Sequence, residues 1–258
     1  MRRWTRIALT GALLVAAPAS LAAQDEGGPW KLDGELGASV FFGASEQTTT
    51  TFRASAERKS SLLEFSLGGE FAYGEAQDPA SGNSFVNKRS WAASTALDYK
   101  PEGKVSPFLF ADAEGSFERQ IALRLSTGLG AKYRFVDTDE TGLDVSLAAL
   151  VERTEPREYE VGAETDIETL ARWSARFRAR HAFSDGRTTF KLVTFYRPAF
   201  SDSGDYTVDT DTSLAYALNQ TISLKLSFVD KYDSLAEDRG ARSNNDGRLF
   251  FSVLASVK

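Results

Sequence analysis

The chain has 258 residues, of which 42% are hydrophobic, 12% aromatic and 26% charged, a size that suits one large domain or two small ones. It has no Cys and a single His, His181, which removes disulfide frameworks, thiolate metal sites and cysteine lipidation, and leaves little for a catalytic triad. A formal charge of −6 argues against nucleic acid as a partner, since phosphate backbones are held by basic surfaces.

Met1 to Ala23 reads as a cleavable secretory signal. Arg2, Arg3 and Arg6 form a basic start, Ile7 to Ala17 an apolar core, and Pro18 to Ala23 a small-residue stretch suited to cleavage after Ala22 or Ala23. The apolar run is too short to cross a bilayer as a helix. Loss of those three Arg takes the formal charge from −6 to −9, so residues 24–258 form an acidic exported domain.

Beyond the signal the hydrophobic period is two. Trp30, Leu32, Leu36, Ala38 and Val40 share one face of the first segment, with Lys31, Asp33, Glu35 and Ser39 on the other. Leu63, Phe65, Leu67, Phe71 and Tyr73 oppose Glu64, Ser66 and Glu70. Leu125, Leu129, Tyr133 and Phe135 oppose Arg124, Ser126, Lys132 and Arg134. Leu249, Phe251, Val253 and Val257 oppose Arg248 and Ser252. Such segments number about twelve, near 30–43, 48–58, 62–74, 88–99, 105–118, 121–136, 143–153, 167–183, 188–197, 206–218, 221–232 and 247–257.

Their connections alternate in kind. Residues 58–61, 100–104, 137–142, 184–186 and 219–220 are short and rich in turn formers, whereas 75–87, 154–166, 198–205 and 233–246 are longer polar loops. Tight turns near 44–47 and 118–121 are exceptions on the long-loop side. This rhythm predicts an all-β fold: a transmembrane, antiparallel, up-and-down β-barrel of the outer-membrane type, with short periplasmic turns and both termini on the periplasmic side. Trp30, Tyr99, Phe135 and Phe183 fall where one aromatic girdle belongs, and Phe42, Tyr73, Trp91, Phe117 and Tyr232 where the other does. A soluble two-sheet sandwich is the competing architecture, but it accounts neither for the loop rhythm nor for charges placed so regularly opposite the apolar face.

Two stretches carry a resemblance. Gly128 to Leu147, where a Gly-x-Gly strand turns through an Asp/Thr-rich link, is similar to the central hairpin of the YdiY-like outer-membrane proteins. Ser213 to Ser234, ending in Tyr232-Asp233-Ser234, resembles their penultimate hairpin. That family is a domain of unknown function whose members are labelled salt- or acid-induced, and the likeness runs over roughly 32–257. The chain departs from the pattern in three places: Gly43 to Ser45 before Thr48, Leu235-Ala236 where a Pro is common, and Val257-Lys258 in place of a terminal aromatic. The resemblance implies an outer-membrane barrel and assigns no activity to any residue.

The polar face supplies the candidate site. Arg172, Arg176, Arg178 and Arg180 share one parity, opposite Trp173 and Phe177, and Lys132, Arg134 and Lys191 join them from neighbouring segments. Glu64, Glu70, Asp112 and Glu114 point inward from earlier segments, so a basic wall is expected to face an acidic one across the lumen, with a transverse field able to bias ion passage. Lys31, Arg53 and Lys88 among the acidic strands dilute that division. The competing expectation is a lumen filled by its own ion pairs, with Asp144 meeting Arg180 and Glu152 meeting Arg172, because an unpaired enclosed Arg is costly.

Two other classes compete. A lipid-acting enzyme would need His181, which lies on the lipid-facing parity near the short-turn end and reads better as an interfacial residue beside Phe183. A binding barrel would use its loops: Asp233, Glu237, Asp238 and Asp246, or Asp202, Asp205, Asp209 and Asp211, could ligate a divalent cation, although solvated surface charge fits these spacings better. The reading is therefore an envelope protein, porin-like and non-enzymatic, able to pass small solutes or ions. It needs no cofactor, no catalytic residue and no metal. Its partners are outer-membrane lipids and, during biogenesis, the barrel-assembly machinery.

Overall fold

The computed structural model describes residues 28–41, 47–78, 81–157, 167–183 and 186–257. The signal segment, Phe42 and the first tight turn lie outside them. Twelve strands follow in order: β1 (Lys31–Phe41), β2 (Gln47–Lys59), β3 (Leu63–Gln77), β4 (Ser84–Tyr99), β5 (Val105–Ser116), β6 (Ile121–Asp137), β7 (Thr141–Pro156), β8 (Glu168–Ala182), β9 (Thr188–Pro198), β10 (Tyr206–Ala217), β11 (Ile222–Asp233) and β12 (Asn245–Val257). Each pairs antiparallel with its sequence neighbours, and β1 closes on β12 through a register running from Leu32↔Val257 to Ala38↔Phe251.

Closure satisfies every strand's ladder with no open edge, which is the condition for a sheet to stand in hydrocarbon. The side chains agree. Leu36, Leu129 and Phe251 are 61%, 71% and 71% exposed, and Leu32, Phe52, Leu67, Leu109, Leu147, Trp173 and Leu224 face outward with them. A soluble sandwich would bury this set, so the barrel is transmembrane, its apolar face turned to lipid. No helix of the described residues is long and apolar enough to cross a membrane. Trp30, Tyr99, Phe135 and Phe183 are exposed near the short-turn end, and Tyr73 and Trp91 toward the other.

The loop rhythm is present but blunter than the sequence pattern suggests. Links 60–62, 100–104, 138–140, 183–187 and 218–221 share the end where β1 begins and β12 stops, and links 78–83, 117–120, 157–167, 199–205 and 234–244 share the other. The 75–87 loop is the main correction. β3 and β4 stay paired out to Gln77↔Ser84 across a bulge at Gly74/Glu75, which leaves Asn87 as the extra residue. Above the membrane both faces of a strand meet water, so the alternation that marks it fades. Phe117 is a second correction: it sits in the 117–120 link, over which the guanidinium groups of Arg89 and Arg157 lie, rather than in the outward girdle.

Gly128 has a steric reason. A Cβ there would come within 2.6 Å of the Ala149 carbonyl and 2.8 Å of the Phe110 ring, so only Gly lets this inward ring lie against β6. An Arg at Leu129, mid-strand on the outward face, is expected to destabilise the folded barrel by about 2–4 kcal/mol in lipid vesicles. Reversible urea unfolding checks this, and no loss of stability in Leu129→Arg counts against the outward assignment.

Candidate functional site

All twelve candidate lining residues fall on the inward parity of their strands. They do not form two opposed walls. Register pairs most of them with a neighbour or sends them across the lumen.

On the β6–β9 side, Arg172 donates to Glu152 at 2.9 Å and forms a two-pronged contact with Asp205 at 2.9 and 3.0 Å. Asp144 stands opposite Arg178 in the β7–β8 register and accepts from it at 2.7 Å, with Arg176 at 3.7 Å. The expected Asp144–Arg180 pair is therefore displaced by one inward position. Arg180 faces Gly142 and donates instead to the Thr138 and Asp139 carbonyls of the short link. Arg176 lies between the Phe108 and Phe195 rings, 5.7 and 5.9 Å from their centroids, so aromatic faces support this charge. Lys132 pairs with Asp98, and Arg134 with Asp137 at 2.7 Å. Glu64 and Asp112 have no ion-pair partner among the described residues.

Nearer the outer end, ion pairs span the lumen. Arg124 of β6 reaches Asp233 of β11 at 2.8 Å, and Lys231 of β11 reaches Glu114 of β5 at 3.3 Å. Arg53 of β2 pairs with Glu70 at 2.7 Å and with Asp211 of β10 at 2.9 Å. Arg248 of β12 also donates to Glu70. Lys88 of β4 meets Asp246 of β12 at 2.5 Å. The Phe250 ring, 2% exposed, lies under both the Arg53 and Arg248 guanidinium groups. Gly37 makes room for it, since a Cβ there would stand 2.6 Å from the ring.

The loops fold inward to join this layer. Arg119, in the tight 117–120 link, is 3% exposed and donates to Glu114 at 2.6 Å. Burial opposes its charge, but Glu114, Asp209 and Asp233 outweigh that and hold the guanidinium above its ordinary value. Asp233 is a hub: it accepts from Arg124 at 2.8 Å, from Arg239 of the last loop at 2.5 Å and from the Leu235 amide at 3.1 Å. Its neighbours are equally engaged, Tyr232 stacked on Tyr206 at 5.4 Å and Ser234 accepting from the Tyr206 amide at 2.9 Å. The Tyr-Asp-Ser element is thus a lock between the last two outer loops. Asp205, Asp209, Asp211, Asp233 and Asp246 are ion-paired in the interior and not solvated surface charge; their cations, Arg172, Arg197, Arg53, Arg124 and Lys88, answer them. No group of three potential metal ligands occurs among the described residues.

This layer divides the interior. Below it lies a vestibule of about 530 Å³, bordered by Lys31, Glu57 and Lys191 toward the short-turn end and by Glu70, Asp209 and Lys231 where it meets the layer. Above it an outer mouth of about 300 Å³ is lined by Phe85, Asn87, Phe117, Gln120, Arg242 and Asp246. Between them is a gap of only about 10 Å³, bordered by Glu70, Lys88, Glu114, Arg119, Lys231 and Arg248. The gap shares Glu70 and Lys231 with the vestibule and Asp246 with the mouth, so the three spaces adjoin in that order. A space that small holds about one water.

His181 lies on the outward face, its Nδ1 3.0 Å from Thr141 Oγ1 and its ring edge-to-face with Phe183 at 5.0 Å. Neither contact is a carboxylate or an activated nucleophile.

These features define the class: a membrane-spanning, twelve-stranded β-barrel with a charged, partitioned interior. Residues 34–257 match the model of the family described as protein of unknown function, DUF481, and the chain belongs to that family. No curated protein matches it. Among solved structures, it is similar to the NanC porin at 10% identity and a TM-score of 0.49, over 89% of this chain and 100% of that one. An outer-membrane channel from Pseudomonas putida F1 gives 9% identity and 0.46, over 92% and 99%. The KdgM porin, solved in complex with disordered oligogalacturonate, gives 11% and 0.43, over 88% and 99%.

Sequence parity found the inward residues but missed Arg119 and Arg239, which sit in links where period two does not apply, and Asp205 and Asp233 read only as loop charges or cation ligands. Removing one member of an enclosed pair strands the others. Arg172→Met, which leaves Asp205 unanswered and Glu152 with only Arg124 at 3.6 Å, is therefore expected to cost about 3–5 kcal/mol of stability. Urea unfolding in detergent micelles measures this, and a loss within error of zero would contradict an enclosed pair.

Proposed function

We propose that this protein is an outer-membrane barrel that carries a narrow ion and water path, closed at rest by its own ion pairs. Residues 1–23 serve as the export signal and 24–258 as the barrel, with the short links in the periplasm. Its role is in the envelope, in contact with outer-membrane lipids and acting without a cofactor.

One observation carries the reading: vestibule, gap and outer mouth adjoin in that order, and the narrowest part is bordered chiefly by charged side chains, Glu70, Lys88, Glu114, Arg119, Lys231, Asp246 and Arg248, with Trp91 and Val229 among the rest. A permanent plug is better built from apolar residues, because paired charges stabilise little relative to packed hydrocarbon. Charges at a constriction instead select ions and set how easily it opens. The inward cations Arg172, Arg176, Arg178, Arg180, Lys132, Arg134 and Lys191 and the carboxylates Glu64, Glu70, Asp112, Glu114 and Asp144 then act as lining, each tuning the local field.

Planar-bilayer recording of the refolded protein tests this. The wild type is expected to show small, infrequent conductance. Lys231→Ala combined with Arg248→Ala, which frees the Glu70 and Glu114 side of the gap, is expected to raise mean conductance about tenfold or more, since solute-sized passages need a wider lumen. Unchanged conductance in the double variant, with its heat-modifiable migration intact, overturns the path.

A further inference from the structure

Nearly every inward charge of this barrel has an opposite charge against it, and Lys191 does not. It stands on β9 and lines the vestibule. Its charged surroundings are the ammonium groups of Lys31 and Lys225, which repel it, and the carboxylates of Asp33 and Glu57, which attract it less. Those carboxylates are already engaged: Asp33 with Lys31 at 3.2 Å and with Ser256, and Glu57 with Lys31 at 3.5 Å. Glu35, the next acid along β1, holds Lys225 at 2.8 Å and accepts from Ser252 at 2.7 Å. Among the described residues Lys191 has neither an ion pair nor a hydrogen bond.

Hydroxyl groups continue the pattern. Ser213 is directly opposite Lys191 in the β9–β10 register and borders the same vestibule. Its hydroxyl has no hydrogen bond among the described residues. Ser227 is opposite Ser213 in the β10–β11 register, fully buried, and its Oγ also has no partner. An ammonium and a hydroxyl with spare donors thus face one cavity, side by side on adjacent strands. The Lys191 side chain is open to that cavity, so an anion from solution reaches the ammonium and the hydroxyl together.

We propose that Lys191 and Ser213 form the binding site for a small oxyanion, a carboxylate or a phosphate, that enters the vestibule from its open, short-turn end. Lys191 supplies the charge and Ser213 a hydroxyl donor, while Lys31 and Lys225 add long-range attraction without leaving their own carboxylates. The vestibule, at about 530 Å³, has room for such an ion and its water shell. The inference draws on the proposed membrane orientation only for the side of entry; binding requires only the folded barrel, so it stands or falls apart from conductance.

The test is calorimetric titration of the refolded barrel in detergent micelles, in low-chloride Tris buffer, with inorganic phosphate in one arm and acetate in the other. Saturable wild-type binding in either arm is expected, and the tighter arm assigns the anion class. Lys191→Met is expected to weaken binding about tenfold or more, as loss of a charge-assisted hydrogen bond does. Ser213→Ala should weaken it about threefold, and Lys104→Met, at a link outside the vestibule, should leave it unchanged. Heat-modifiable migration on a detergent gel verifies folding of each variant. Absence of saturable binding by the wild type, equal binding by Lys191→Met, or equal loss in Lys104→Met overturns the site.

Discussion

A backbone amide in hydrocarbon has no water to turn to, so its partner must come from the chain itself. That requirement governs the whole molecule. It forces the sheet to close, β1 against β12, and a closed sheet of twelve strands encloses more volume than apolar side chains fill. The interior is therefore polar, and once polar it must be balanced group by group, because each enclosed charge without a partner carries a large desolvation penalty. The ion pairs from Arg172 to Asp205, from Arg124 to Asp233 and from Arg53 to Asp211 follow from the closure of the backbone.

Balance is reached in two ways. Adjacent strands solve it locally, as with Glu152 and Arg172 or Asp144 and Arg178, where register places opposite charges side by side. Toward the outer end it is solved across the lumen and by inward-folded links, and this second solution constricts the interior. Aromatic faces complete it: Phe250 carries Arg53 and Arg248, while Phe108 and Phe195 carry Arg176.

The midsections of the strands were legible in the sequence because two solvents act on alternate residues there. Leu125, Leu129 and Tyr133 against Arg124, Lys132 and Arg134 are such a case. The rims were less legible. The β3–β4 hairpin continues to Gln77 and Ser84 where both faces are wet, and the sequence there resembles a loop. Partners across the lumen were illegible, since Arg124 and Asp233 are 109 residues apart and only the shear of the closed sheet brings them to one depth. Within a hairpin, parity fixed the candidates for Asp144 but not the register, which selects Arg178 over Arg180. The acids of the outer loops read as surface charge because nothing local signals that a loop turns inward.

The lock at Asp233 divides the last outer loop into unequal parts. Leu235 and Arg239 are tied to it from within the lumen, whereas Gly240 adopts a φ of 87° and Arg242 and Ser243 are exposed at the rim of the outer mouth. The first part is scaffold and the second is display. A foreign peptide grafted between Gly240 and Ser243 would be carried on an anchored stalk, while the same graft between Leu235 and Arg239 would pull a cation out of the interior. Sequence change in this loop is accordingly tolerated at Arg242 and constrained at Arg239 and at Asn244, whose side chain accepts from the Glu237 amide.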